Sequence, residues 1–416
     1  MKKLLLLHII LIVRLVSCEE TYPGLDFDLS GDDVVIDNEQ VVDSVIVTED
    51  HLPVILSIID PSFTTLSRSI TPTGSGAFDG ERPDSIRTAQ WEKADFHILG
   101  IRNSEDADYL VSRQSDSTMC LIDNAIARVT DLNSLMLTFN TVEGDEPQNY
   151  YYSNEDTLNR FNFYAYYIDN LEKPVLNRDK DSIWFDFQID GSQDILTGYA
   201  QLTKRQQQRI EAHEEKDSLL KYYYSTYTAT RDIFPVVNLD HEMVRLKFFI
   251  YPGDASADSM TVQSIRIKSH YKGRMVVAHR NAAQVRAIWE EEKEWLTLRD
   301  EGDTLQLDTA RYHVPFLEGD ERKGIYERTG MQVGESLLVP PSDTYTIEVT
   351  THERTNGVIT PYITEYVIEN KEVFKPNYEY RIRIGLYGPD QLTVDAILTG
   401  WAVGGEVIKD MDDRFE

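Results

Sequence analysis

Arg160-Phe161-Asn162-Phe163-Tyr164-Ala165-Tyr166-Tyr167 places five aromatic rings in eight residues. Rings of this kind pack well on the pleated surface of a strand. A little further on, Ser182-Ile183-Trp184-Phe185-Asp186-Phe187-Gln188-Ile189 alternates apolar and polar residues near its end. That is the period of a strand with one buried face. Working outward from these two, Val41–Ile46, Val54–Ile59, Asp95–Gly100, Ala125–Val129 and Ser134–Asn140 read as further short strands. Val236–Tyr251 starts a second series, continued by Thr261–Ser269, Thr344–Thr350, Val358–Ile368, Tyr378–Leu386 and Leu392–Ala402. Gly, Pro, Asn and Asp turns separate them, the pattern of antiparallel β-sandwiches rather than of an α/β fold. Leu202–Tyr222 is rich in Gln, Arg, Glu, Lys, Ala and Leu and reads as a surface helix or lid. Asn281–Arg299, with Ala283, Val285, Ile288, Trp289, Trp295 and Leu296 as an apolar stripe, reads as a second helical stretch. The fold expected is all-β, two tandem domains (41–235 and 236–416) with short helical insertions, meeting near Asp232-Ile233-Phe234-Pro235.

The chain has 416 residues, of which 71 are Asp or Glu and 41 are Lys or Arg, for a formal charge of −30. Such acidity repels nucleic-acid phosphates, so no nucleic-acid partner is expected. Two cysteines exclude a disulfide scaffold and a thiolate zinc cluster. Cys120, between Met119 and Leu121, reads as a small core hydrophobe.

Lys2 and Lys3 precede Leu4–Val13, an apolar run interrupted only by His8. It is shorter than the ~20 residues that span a bilayer and suits the apolar centre of a signal peptide. Arg14 is unusual in that position. Leu15-Val16-Ser17-Cys18 resembles a bacterial lipobox. The resemblance implies cleavage before Cys18, acylation of its sulfur and a membrane anchor through that lipid. The alternative is an ordinary secretory signal with an incidental cysteine. Glu19-Glu20 resembles the surface-export signal of Bacteroidetes lipoproteins, and residues 19–40 read as an acidic tether.

No constellation for catalysis emerges, so the chain is read as a non-enzyme without cofactor or metal. The nine histidines are scattered, and there is no nucleophile elbow, phosphate-cradling loop or dinucleotide fingerprint. Asp26-Phe27-Asp28-Leu29-Ser30-Gly31 with Asp37 has the spacing of a calcium loop, but Pro23 precedes it and no helix flanks it, so an acidic tether is the better reading. Tyr222-Tyr223-Tyr224, beside the helical insertion, is the one aromatic cluster singled out for ligand contact. Asp-Ser/Thr-apolar triplets, among them Asp156-Thr157-Leu158 and Asp181-Ser182-Ile183, resemble the O-glycosylation sequon of exported Bacteroidetes proteins.

Several segments in order resemble the fimbrillin family of Bacteroidetes, the subunits of major- and minor-fimbria type (type V pilins). Phe161–Tyr167 is similar to the family's F-Y-A-Y-Y-P segment, with Ile168 in place of Pro. Gln193-Asp194-Ile195-Leu196 with Tyr199-Ala200 resembles its Q-D-L-L-Y-A stretch, and Asn238-Leu239-Asp240-His241 with Leu246 and Phe248 its L-x-F-x-H strand. Leu337–Pro341, Tyr378–Ile382 and Val394–Trp401 resemble its later steps. The resemblance spans residues 50–402 and implies transthyretin-like sandwiches in both domains.

It also implies a processing route. In the family an early strand precedes a loop arginine at which a trypsin-like protease cuts. Here Val54-Ile55-Leu56-Ser57-Ile58-Ile59 is that strand, residues 41–68 the propeptide and Arg68 the leading cleavage position, with Arg82 and Arg87 as weaker ones. Loss of the strand leaves a groove that another subunit's strand fills. The partners implied are other fimbrial subunits and a glycan or protein receptor, at the outer membrane or cell surface. The tail after Trp401 is acidic and alternates poorly, which points to a tip or accessory subunit rather than a stalk. The competing reading is a monomeric outer-membrane glycan-binding lipoprotein.

Overall fold

The aromatic stretch is a strand buried on both faces. Phe161, Phe163 and Ala165 enter one hydrophobic core, and Tyr164, Tyr166 and Ile168 enter another. The structure, a computed structural model, describes residues 52–59, 94–131, 136–139, 149–169, 174–252, 259–300, 331–388 and 391–399. The first strands are β1 (Leu56–Ile59), β2 (Phe96–Arg102), β3 (Cys120–Asp131), β4 (Met136–Phe139), β5 (Phe161–Ile168), β6 (Asn177–Arg178), β7 (Ser182–Gln188) and β8 (Ile195–Ala200). Helices α1 (Lys204–Glu211), α2 (Lys216–Lys221) and α3 (Thr226–Ala229) follow. Then come β9 (Val236–His241), β10 (Val244–Pro252), β11 (Met260–His270), β12 (Lys272–His279), β13 (Arg286–Trp289) and β14 (Lys293–Thr297). Strands β15 (Met331–Val339), β16 (Ser342–Thr355), β17 (Val358–Phe374), β18 (Glu379–Gly388) and β19 (Gln391–Thr399) complete an all-β architecture.

Seven strands close into a barrel in the order β1-β4-β3-β2-β5-β8-β9. The other strands form three four-stranded sheets, β15-β10-β18-β19, β14-β11-β16-β17 and β13-β12-β7-β6. Pairing is antiparallel except for β1 with β9 and β10 with β18. The expected boundary at Asp232–Pro235 falls inside the barrel's connectivity. β9 lies beyond it yet pairs with β8 and β1, while β7 lies before it yet pairs with β12. On the parallel pair, Arg245 stands opposite Glu379; the Arg245 and Lys247 side chains lie 3.5 and 3.1 Å from that carboxylate, and all three are buried.

Leu202–Tyr222 is helical as two short pieces. Thr203 starts α1 with a capping box: its hydroxyl accepts from the Gln206 N–H, and the Gln206 side chain accepts from the Thr203 N–H. Ile210 and Leu219 reach into the barrel core, so these helices plug the barrel while their charged sides face water.

The helix expected over Asn281–Arg299 is absent; a 3-10 turn at Ala282–Gln284 leads into β13 and β14. Trp289 packs edge-on against Phe187 at 5.1 Å, whereas its neighbour Ile288 is exposed. The run Glu290-Glu291-Glu292 carries the chain from one sheet to another, because β13 pairs with β12 and β14 with β11. Cross-strand partners override the helical composition here. Cys120 is a buried free thiol, and burial pushes its pKa up to about 12. That matches its reading as a core hydrophobe.

Gly198 shows how tightly the barrel is drawn. A Cβ there would stand 1.9 Å from the Asn238 carbonyl oxygen of β9, a backbone atom with no room to swing away. Gly198→Ala is expected to destabilise the fold by about 1–3 kcal/mol or more, read as a lowered urea midpoint with secondary-structure content largely kept.

Candidate functional site

β1 is where the fold is least self-sufficient. It is four residues long and fills the gap between two strands that do not pair with each other. Against β4 it runs antiparallel, with Leu56 opposite Leu137 and Ser57 opposite Met136. Against β9 it runs parallel, with Ser57, Ile58 and Ile59 opposite Val236, Val237 and Asn238. Three further backbone bonds tether the strand and its approach: Val54 N–H donates to Tyr150 O at 2.7 Å, Tyr152 N–H to Leu52 O at 2.9 Å, and Ser57 N–H to Pro235 O at 3.2 Å.

The sequence Val-x-Leu-x-Ile explains which face is inward. Leu56 and Ile58 are fully buried in the barrel core and Val54 nearly so, while Ile55 is half-buried. Each buried aliphatic side chain contributes about 1.5–3 kcal/mol. Ordering the backbone costs about 1–2 kcal/mol per residue. The two are of similar size, so any surplus that holds the strand is modest. Taking it away would bare a trench floored by the barrel core and leave inward edges of β4 and β9 without pairing partners.

Ser57 marks a flaw in the fit. It is 2% exposed, and its hydroxyl makes no hydrogen bond. A buried hydroxyl without a partner is costly.

The far end of β9 is pinned by a buried hydrogen bond. His241 Nδ1 lies 2.9 Å from the Asp194 carboxylate at the start of β8, and both side chains are buried. His241 is thus a buried, hydrogen-bonded strand histidine. Next to it, Glu242 accepts hydrogen bonds from the Thr197 hydroxyl and, at 3.1 Å, from the Ala287 N–H. It thereby ties the barrel to β13. Burial pushes the Glu242 pKa up to about 6, against the opposing pull of those two bonds.

The tyrosine cluster is largely spent on internal contacts. Tyr224 is 1% exposed and packs against Phe163 at 6.3 Å, with a backbone φ of 59°. Tyr223 lies under the Arg160 guanidinium at 4.0 Å, and Tyr222 packs edge-on to Tyr227 at 6.3 Å. Tyr224 is thus a core side chain, closed to ligand. Cys18, the Asp26–Asp37 loop, Val41–Ile46 and the arginines Arg68, Arg82 and Arg87 lie outside the described residues. Ile59 lies in β1, paired opposite Asn238. Among the described residues no group of three or more His, Cys, Asp or Glu is placed to hold a metal ion. Among them, too, no helix is long and apolar enough to cross a membrane. The sequence did not signal that β1 would be clasped on one side in parallel by a strand far along the chain.

No family model matches the sequence. No curated protein matches it by sequence. By shape, the chain is similar to a Bacteroides ovatus protein provisionally described as a cell adhesion protein, at 12% identity and a TM-score of 0.43, covering 85% of this chain and 99% of that one. A Bacteroides uniformis protein of the same description gives 10% identity and a TM-score of 0.42, with coverage of 85% and 99%. The tip fimbrial protein Mfa3 from Porphyromonas gingivalis gives 10% identity and a TM-score of 0.33, with coverage of 85% and 99%. At these values the likeness fixes neither activity nor partner.

Two outcomes follow from the site. Ser57→Ala removes the unsatisfied hydroxyl and is expected to raise stability by about 1 kcal/mol, measured by urea unfolding. Glu242 binds its proton more tightly folded than unfolded, so its contribution is present below the ordinary value of 4.5 and is lost as pH rises through about 6. Glu242→Gln should be close to neutral near about pH 4 and more stable than the parent by about 2 kcal/mol near pH 7, seen by comparing urea midpoints at the two pH values.

Proposed function

We propose that the chain is a fimbrial subunit of the tip or accessory kind, exported on a lipid anchor that the later cut releases, an adhesin whose first strand is removed and replaced by a strand from another subunit. The observation that carries this reading is the placement of β1. It is short and apolar inward, clasped between β4 and β9, and it closes a barrel that no other described strand closes. A strand in such a position can be exchanged for a stranger's, because the slot supplies main-chain pairing on two sides and pockets for alternate side chains.

The route begins with export and acylation of Cys18, then cleavage after Arg68 in the sequence between β1 and β2. Covalent attachment holds β1 in its slot by keeping its effective concentration high. Once cut, the strand has only its modest surplus, and a longer donor strand with more apolar anchors displaces it. A second reading, a monomeric glycan-binding lipoprotein, shares the lipobox and the sheets and is favoured by the polar, aromatic-walled pocket described below.

Brief treatment with an arginine-specific protease, N-terminal sequencing and native sizing tests the proposal. A new N-terminus at Ser69, departure of the Leu52–Ile59 fragment and a loss of stability that an added strand peptide restores are the expected outcome. A chain that stays intact, or is nicked without change of size or stability, would contradict it.

A further inference from the structure

The sheet β13-β12-β7-β6 has an outward face with a different character from the buried face that carries Phe185 and Phe187. Trp184 on β7 stands opposite Val276 on β12, and Arg274 on β12 stands between Asp186 and Ile288. Trp184, Val276 and Ile288 give this face an apolar floor, and Ile288 is 46% exposed. At one end the floor meets Asp179, Ser182, His279 and Gln284. Together they line a half-open depression of about 220 Å³. That is below the ~300–1,000 Å³ of ordinary ligand clefts, so it suits one small ring rather than a long chain of them.

Asp179, His279 and Arg274 are held in place by local hydrogen bonds. Asp179 uses Oδ1 on the N–H groups of Asp181 and Ser182, at 2.8 and 2.7 Å, and on the Ser182 hydroxyl at 3.0 Å. Its Oδ2 takes no part in that turn. His279 Nδ1 accepts from the Asn281 N–H at 2.8 Å, which places its proton on Nε2. Arg274 is tied to Asp186 at 3.2 Å and lies over the Trp184 ring at 5.1 Å. Gln284, on the 3-10 turn, makes no side-chain bond among the described residues. A carboxylate acceptor, an imidazole donor, a guanidinium donor and an amide of both kinds therefore converge around an aromatic wall and an aliphatic floor.

We propose that this pocket is a subsite for a single pyranose unit of a glycan. A pyranose has an apolar face of C–H groups and a rim of hydroxyls that both donate and accept. The apolar face matches Val276, Ile288 and the part of the Trp184 side chain that lines the pocket beside Arg274, and the hydroxyl rim matches Asp179, His279, Arg274 and Gln284. The site uses no residue of β1, β4 or β9, so it stands whether or not the first strand is exchanged.

The test titrates the purified full chain with methyl glucopyranoside, methyl galactopyranoside, N-acetylglucosamine and methyl glucuronopyranoside, followed by saturation-transfer NMR and tryptophan fluorescence. Saturable millimolar binding of at least one sugar is expected. Trp184→Ala should weaken it by roughly tenfold or more. Gln284→Ala should weaken it several-fold with an unchanged thermal melt, which keeps the test valid should Trp184→Ala fail to fold. Tyr222→Ala should leave it unaltered. No response to any of the four sugars would overturn the proposal. So would binding that survives both pocket substitutions, or binding that is lost with Tyr222→Ala.

Discussion

A strand buried on both faces cannot slip by one residue, because the shift would exchange the side chains of two cores at once. β5 is that strand. Phe163 in the barrel and Tyr164 and Tyr166 on the other side are each fully buried. Their polar ends are satisfied: the Tyr164 hydroxyl donates to His279 O at 2.8 Å, and the Tyr166 hydroxyl donates to Asn124 at 2.7 Å. The Tyr166 ring also stacks on His97 at 4.7 Å. With β5 fixed, β8 is fixed beside it, then β9 beside β8, and the width of the gap left for β1 is set.

That gap gives the account its functional content. The rest of the barrel is knit by strands whose pairing runs four to six residues, as in β3 with β4 and β2 with β5. β1 has two pairs on one side and three on the other. Its inward side chains match the trench, its Ser57 hydroxyl does not, and its hold is correspondingly moderate. A closure that is strong enough while covalently attached and weak once cut is the physical requirement of strand exchange. The tie from Glu242 to Ala287 and the His241–Asp194 pair hold the opposite end of β9 in place by contacts that do not involve β1.

Much of this was legible in the sequence wherever the signal is local. The aromatic run Phe161–Tyr167, the alternation of Ser182–Gln188 and the β-branched run Val54–Ile59 each announce a strand from within a few residues. Asn281–Arg299 misled because its apolar spacing fits a helix, while its real partners, β12 and β11, lie earlier in the chain and decided the outcome. The parallel clasp of β1 by β9 left no local trace, since it depends on closure of the whole barrel. The tyrosine triplet at 222–224 was conspicuous by composition, yet Tyr224 is turned into the core while Tyr222 and Tyr223 are only half-buried. The pocket around Trp184 was silent because its walls come from β7, β12, β13 and two separate turns, each unremarkable alone.

The most direct test of the central claim is to prepare the chain from Ser69 onward, lacking β1, and to titrate it with a synthetic peptide spanning Leu52–Ile59. Stoichiometric binding that raises the melting temperature toward that of the intact chain, absent with a scrambled peptide or with Leu56 and Ile58 both replaced by Asp, is the predicted result. A strandless chain that is as stable as the parent and ignores the peptide would contradict the account.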